Sequence, residues 1–455
     1  MNLLPAIGLI QPSVLWLMGL LLVFLPFVYL LRRWWLGGGL SVLVCLLGAY
    51  LAWRAIPRGE VLVIQGWTWQ YDDLTAFSIS LLLVATACLF ILSLNTSQGW
   101  SFYPLGILIL TLFLAAMAVH HLGIEALIIE LGVLLSVFII QGGRIGSTRA
   151  ASRFLVMMTL AVPFLLLAAW QLEQYQTNQE NTPFLSQVAL LVGGGFGIWL
   201  GVAPLHGWLS GIAAEAKAGI AAFIFITFPC VAIIILLKLL QSASWLLEVP
   251  HAVNIIIFAG LFTAMVGGLF ASVQRAFGSL MGYSALFDLG IMLIAVGLGT
   301  EQAGTMILFA LLVRAIALVL IATSSAAFES QSGGDRFLHM KGLARRRPVP
   351  AIGLVVGGLT LAGAPFTAGF ISRWFLLQGV ASMGGQWPLL ILLSSLGVAI
   401  GYIRGLGALI ETPVVMVTVP QKWAMTVMIL SLIALCVGLG LFPQSVLTMM
   451  MELTG

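Results

Sequence analysis

The chain is 455 residues long, 61% of them hydrophobic and only 7% charged, where soluble domains carry roughly 25% charged residues. That composition excludes a soluble enzyme or a nucleic-acid binder and places the chain in a membrane, so the formal net charge of +4 informs mainly through where the cations lie. Four cysteines, Cys45, Cys88, Cys230 and Cys436, fall within apolar runs at no metal-ligand spacing and read as small core or lipid-facing residues.

Apolar windows of about 17 to 25 residues, the length that crosses a bilayer core, run in order along the sequence. They are Ser13 to Leu31, Gly38 to Trp53, Leu74 to Leu94, Tyr103 to His120, Leu122 to Ile140, Phe154 to Trp170 and Leu185 to Ala203. Seven more follow: Gly219 to Leu240, Val253 to Val273, Ser279 to Leu298, Gly304 to Ala327, Ala351 to Leu376, Pro388 to Ile410 and Trp423 to Phe442. The first follows neither a basic n-region nor a cleavage site, so it is expected to be a retained span. Between the second and third, Glu60 to Trp69 (EVLVIQGWTW) has strand-like apolar residues and reads equally as a short external hairpin or an ordinary loop. The expected fold class is an all-α membrane protein of about 14 transmembrane helices, with no soluble domain.

Cations set the expected orientation. Loops after odd-numbered spans hold Arg32, Arg33, Arg144, Arg149, Arg153, Lys217, Arg275, Arg336, Lys341, Arg345, Arg346, Arg347 and Lys422, whereas those after even-numbered spans hold little beyond Arg54 and Arg58. By the positive-inside rule the odd loops are cytoplasmic and both termini face the other side.

Two spans are interrupted. Span seven contains Gly201 to Trp208 (GVAPLHGW), and span twelve contains Leu361 to Trp374 (LAGAPFTAGFISRW) with a full charge at Arg373. Proline frees a backbone carbonyl, and such breaks are tolerated at membrane depth only against protein or a watery cavity. Arg373 is therefore expected to face a polar interior. The breaks stand five spans apart, which suggests two five-helix repeats, spans 4–8 and 9–13, the second inverted because five is odd; paired interrupted spans point to an ion or substrate path near mid-membrane. The expected organisation is an N-terminal three-helix region (1–100), a first repeat (101–240), a second repeat (241–411) and a C-terminal helix (412–455).

Motifs along the chain carry a resemblance. PLHGWL at Pro204 to Leu209, GYSALFDLG at Gly282 to Gly290, GLARRRP at Gly342 to Pro348 and GAPFTAGFISRW at Gly363 to Trp374 are the specific pieces; DDLTAFSISLLLV at Asp72 to Val84 and IIELGVLLSVFII at Ile128 to Ile140 are weaker. In these, the chain resembles the antiporter-like membrane subunits of respiratory complex I, of its photosynthetic and hydrogenase relatives, and of multisubunit cation/proton antiporters. The resemblance covers about Asp72 to Phe442 and implies fourteen helices with inverted repeats, with proton movement along a hydrated chain of buried charges.

Carried over residue by residue, the resemblance matches Glu130 to the family's span-five glutamate and Arg373 to the charge that ends its span-twelve motif. The two central lysine positions of the family fall on Trp199 and Cys230, so this looks like a divergent member. Lys217 replaces the usual proline before span eight, Arg314 stands at a polar histidine site of span eleven, and Asp288 stands at the histidine of the span-ten motif. An arginine does not release its proton as a desolvated lysine does. Glu125, Glu130, Asp288 and His206 are the groups left to titrate, with Arg314, Arg373 and Lys217 as field-setting candidates. Glu125 and Glu130 are five apart, about 500° round a helix, and so on faces roughly 140° apart. Plainer readings stand beside these: Glu130 and Asp288 as structural partners of basic residues, His206 as a brace for the broken helix, Asp72 and Asp73 as helix starters, and Arg345 to Arg347 as a topology anchor that could also touch a soluble partner or anionic lipid.

No dinucleotide fingerprint, phosphate loop, CxxC or histidine cluster is present in the sequence, and no cofactor or metal is expected. What remains is a non-redox membrane subunit of a proton-translocating NAD(P)H/quinone oxidoreductase or antiporter complex, partnered by other membrane subunits and lipid, with electron transfer on other chains. The alternatives are a non-conducting structural membrane-arm subunit, and a membrane partner in a sodium/proton antiporter or inorganic-carbon uptake complex. A bacterial inner membrane and a photosynthetic (thylakoid) membrane fit equally.

Overall fold

In hydrocarbon no water satisfies a backbone N–H or C=O, so apolar runs of this length are stable only as helices that bond within themselves. The computed structural model describes residues 14–31, 35–54, 56, 59, 61–64, 67–99, 101–143, 148–177, 182–249, 251–299, 301–412 and 422–454. Its first part holds α1 (Val14–Leu31), α2 (Trp35–Arg54), a hairpin of β1 (Val61–Ile64) and β2 (Trp67–Gln70), α3 (Asp73–Asn95), α4 (Phe102–Ala118), α5 (Leu122–Gly143), α6 (Thr148–Thr177), α7 (Thr182–Trp199), α8 (Gly207–Glu215) and α9 (Ala218–Ser242). The rest holds α10 (Ala252–Val273), α11 (Phe277–Leu298), α12 (Glu301–Ser332), α13 (Leu343–Arg346), α14 (Pro348–Ala362), α15 (Gly369–Ala381), α16 (Gln386–Ile410), α17 (Trp423–Leu441) and α18 (Gln444–Thr454). Among the described residues, eleven helices are long and apolar enough to cross a membrane, and three shorter apolar helices accompany them. The protein is an all-α, multi-pass integral membrane protein.

Burial sorts these helices into an interior and a rim. The apolar windows of α9 and α11 are 94% buried and that of α12 is 83% buried, whereas those of α1 and α17 are only 22% buried. Charges carried on α9, α11 and α12 are thus kept from lipid by the surrounding helices.

Both expected interruptions are present. The first separates α7 from α8 across Gly201, in the left-handed region at φ 63°, and Pro204. The second separates α14 from α15 across Gly363, at φ 78°, and Pro365. At Gly363 the left-handed turn lets its amide reach back to the carbonyls of Leu359 and Thr360, closing the end of α14.

Glu60, Gln65 and Gly66 lie outside the described residues, but within the segment read as hairpin or loop Val61–Ile64 forms an antiparallel pair with Trp67–Gln70, with Val61 opposite Gln70 and Val63 opposite Thr68. It docks on the α4–α5 turn: Trp69 bridges Val119, and the His120 amide donates to the Thr68 carbonyl at 3.0 Å. Apolar counting did not anticipate α18, which follows Pro443 and packs against α12 and α3 with Met450 buried. It also stopped α12 short at Ala327, because the helix runs on through the polar stretch Glu329 to Ser332. Of the cations used for orientation, Arg32, Arg33, Arg58 and Arg144 lie outside the described residues.

Candidate functional site

Two clusters of buried charge occupy the helical interior. The first is built on Asp288 of α11, whose carboxylate is held from both sides: Arg314 of α12 donates Nη1–H to Oδ2 at 2.8 Å, and Arg373 of α15 donates Nη2–H to Oδ1 at 2.5 Å. All three side chains are 5% exposed or less. Two cations against one anion leave a net charge of +1 inside the protein.

Each arginine also donates to a carbonyl that a proline leaves without its helical partner. Pro229, inside α9, has no N–H for the carbonyl four residues back, which is that of Phe225; Arg314 Nε donates to that oxygen at 3.0 Å. Pro365 likewise leaves the Leu361 carbonyl without its helical partner, and Arg373 Nη2 donates to it at 2.8 Å. Arg314 Nη1 further bonds the Ala285 carbonyl at 2.8 Å, and Arg373 stacks over the Phe287 ring at 5.3 Å. The arginines are therefore fixed at several points each, as a guanidinium fork permits and an ammonium does not.

The first break is bridged by a neutral group instead. Trp208, the last residue of the GVAPLHGW motif, donates its indole N–H to the Ile198 carbonyl at 3.3 Å. His206 takes the N-cap position of α8, its ring 6.3 Å from that of Tyr283 on α11. Trp199 is fully buried against Phe196 and Phe228, at centroid distances of 5.6 and 6.0 Å. Cys230, 1% exposed, follows Pro229 on the stretch that Arg314 grips.

The second cluster lies towards the end of the bundle that carries the hairpin. Asp72 caps α3, accepting from the Thr75 amide at 2.8 Å. Its other oxygen meets Lys238 of α9 at 3.0 Å, and the same Nζ donates to Thr75 Oγ1 at 2.6 Å and to the Met117 carbonyl at 2.7 Å. All three ammonium hydrogens are thus engaged. Lys238 and Glu125 of α5, each 6% exposed, line a cavity of about 510 Å³ together with His120, His121 and Glu173. His121 pairs with Glu173 of α6 at 2.6 Å and stands edge-on to Trp67 of the hairpin at 4.7 Å.

The residues singled out in the sequence are distributed accordingly. Asp288, Arg314 and Arg373 converge; Glu125 belongs to the outer cluster. Glu130 is half-buried at the seam of α5 and α6, accepting from the Thr159 hydroxyl at 2.5 Å, and among the described residues no ion pair joins it to Arg373. Lys217 precedes α9 and donates to the Ser97 carbonyl at 2.6 Å. Sequence reasoning overlooked Lys238. A lone lysine inside a 25-residue apolar helix is itself a signal, but two residues from a predicted span end it passes for an interfacial anchor, and its partner Asp72 is 166 positions away (238 minus 72).

Comparison with known proteins fits this architecture. Residues 120–401 match the family described as NADH:quinone oxidoreductase/Mrp antiporter, transmembrane. The NADH-quinone oxidoreductase subunit N of Psychrobacter arcticus is 26% identical over 59% of this chain and 56% of its own length, and that of Pelobacter propionicus is 24% identical over 81% of each. Among solved structures, a chain of the membrane-bound sulfane sulfur reductase, an archaeal respiratory membrane complex, superposes with a TM-score of 0.86 over 97% of this chain and 96% of its own, at 18% identity. That likeness is one of fold.

Proposed function

The chain belongs to the NADH:quinone oxidoreductase/Mrp antiporter transmembrane family, and from that premise we propose that it is an antiporter-like membrane subunit of a multisubunit complex I-type assembly, with proton passage reduced at mid-membrane. In this reading the chain crosses the membrane fourteen times, α4 to α9 and α10 to α16 form the two inverted five-helix repeats, the basic loops are cytoplasmic, and both termini face the other side. The domain limits 1–100, 101–240, 241–411 and 412–455 follow from it. Its partners are other membrane subunits and lipid.

The observation that carries the reading is the double clamp on Asp288. Proton relay through buried groups needs members that change charge, and an arginine keeps its proton. Arg314 and Arg373 also neutralise the one carboxylate between them, so that segment supplies a fixed positive charge instead of a proton carrier. Glu125, Lys238 and Asp72 are the groups that exchange protons in the outer half.

Arg373→Lys tests this directly, since a lysine keeps the charge and can release its proton. Turnover-driven proton movement in vesicles holding the assembled complex is expected to rise; unchanged or lower movement with assembly intact would overturn the reading. A second reading, a non-conducting structural subunit, is favoured by the ring of Trp199 packed between Phe196 and Phe228 where the family places a lysine. Glu125→Gln separates the two: it lowers proton movement if the chain conducts and leaves it unchanged if the chain is structural.

A further inference from the structure

A third concentration of charge lies away from both clusters, at the end of the bundle where α10 runs into α11 and α12 into α13. A cavity of about 890 Å³ is walled there by Arg275, Arg336, Lys341 and Arg404, with Glu411 the only acidic residue lining it among the described residues. Glu411 is already engaged by Lys341 at 2.5 Å. Four cations against one anion give a local excess of +3, and the ion pair leaves three guanidinium groups to face the hollow.

The backbone fixes those groups in place. Ala276 and Arg336 form an antiparallel bridge, and the Phe337 amide donates to the Arg275 carbonyl at 2.9 Å, so two loops distant in sequence hold their arginines on one rim. Arg404, on the last turns of α16, is anchored through Nη1 to the Ser272 carbonyl. Exposed apolar residues adjoin the rim: Leu338, which lines the cavity, and Val273 and Ile403, next in sequence to the lining residues Gln274 and Arg404, are 66%, 58% and 58% exposed. A solvated topology anchor would need neither a hollow nor a convergence of loops.

We propose that this cavity binds the phosphate headgroup of an anionic phospholipid, the arginines taking the phosphate oxygens and the acyl chains lying along the exposed apolar residues of α10 and α16. Basic pockets between membrane helices on the cation-rich face are suited to such headgroups, and a guanidinium meets phosphate oxygens bidentately. The apolar continuation distinguishes a lipid from a free phosphate ion, which would gain nothing from it.

The test uses the purified full chain in micelles, titrated with phosphatidylglycerol, phosphatidylcholine or inorganic phosphate and read by native mass spectrometry. Phosphatidylglycerol is expected to be retained over phosphatidylcholine. The pair Arg336→Gln and Arg404→Gln should weaken retention about 25-fold, at about five-fold per arginine near the surface, while the corresponding Lys variants keep most of it. Thermal unfolding of each variant checks that the fold survives. Equal retention of the two lipids, or of wild type and Gln variants, would overturn the proposal. So would displacement of the lipid by inorganic phosphate at matching concentration, which would make the site one for a free anion. Protection of these arginines only when other subunits are present would assign the cavity to an acidic protein partner.

Discussion

Asp288→Asn keeps the shape of the side chain and removes the one anion between two guanidinium groups. Breaking a buried ion pair by deleting one partner costs about 3–5 kcal/mol. The two cations, bridged by a single carboxylate and so on the order of 6 Å apart, repel by about 3 kcal/mol at an effective dielectric constant of about 20 with or without Asp288, so this repulsion does not add to the cost and is relieved only when a cation is removed. A loss of about 3–5 kcal/mol is a large part of the whole stability of an ordinary domain, about 5–15 kcal/mol. Arg373→Met is expected to be milder, because the neutral Arg314–Asp288 pair survives and the main loss is the orphaned Leu361 carbonyl, about 1–3 kcal/mol. In the double variant the Arg373–Asp288 contact is lost once and not twice, so the combined cost should fall short of additivity by the coupling of that pair, about 0.5–3 kcal/mol. Yield in the membrane and thermal unfolding of the purified chain in micelles read these differences. If Asp288→Asn proved as mild as Arg373→Met, or the two costs simply added, the charge count on which this reasoning stands would be wrong.

Lys238→Met should destabilise by about 3–5 kcal/mol, because it strands the Asp72 carboxylate along with Thr75 Oγ1 and the Met117 carbonyl; adding Asp72→Asn should recover part of that in the same unfolding measurement, and a lack of recovery would mean the pair is not the source of the loss. Gly363→Ala combines a left-handed backbone with a Cβ that would stand 2.2 Å from Arg373 Cγ, so it should cost about 2–5 kcal/mol and displace Arg373 from Asp288. A Gly363→Ala protein within about 0.5 kcal/mol of wild type would show that the turn can relax, contrary to this account.

Much of the architecture is written in hydropathy. The apolar windows lie on the helices because helix is the only state open to an isolated apolar run in lipid, and the prolines and glycines of GVAPLHGW and LAGAPFTAGFISRW mark both interruptions. The polar ends of α12 and the amphipathic α18 escaped because a hydropathy window sees lipid exposure and not helicity. The site was legible in its parts and not in its assembly. Asp288, Arg314 and Arg373 each stood out as charges in apolar surroundings, but their convergence depends on α11, α12 and α15 packing side by side. Glu130 shows the converse: a mid-span carboxylate looked central, yet its face of α5 turns towards Thr159 of α6. Lys238 was visible as a residue and invisible as a partner, since nothing local ties it to the N-cap of α3.

The carbonyl contacts of the two arginines have a mechanical consequence. Arg373 joins α15, the end of α14 and α11, while Arg314 joins α12, the Pro229 stretch of α9 and α11. Asp288 is thus a rivet through which five helix segments are linked. The short helix beyond the Gly363 turn is tied to the Pro229 stretch of α9 through side chains alone, so a tilt of one would load the other through Asp288.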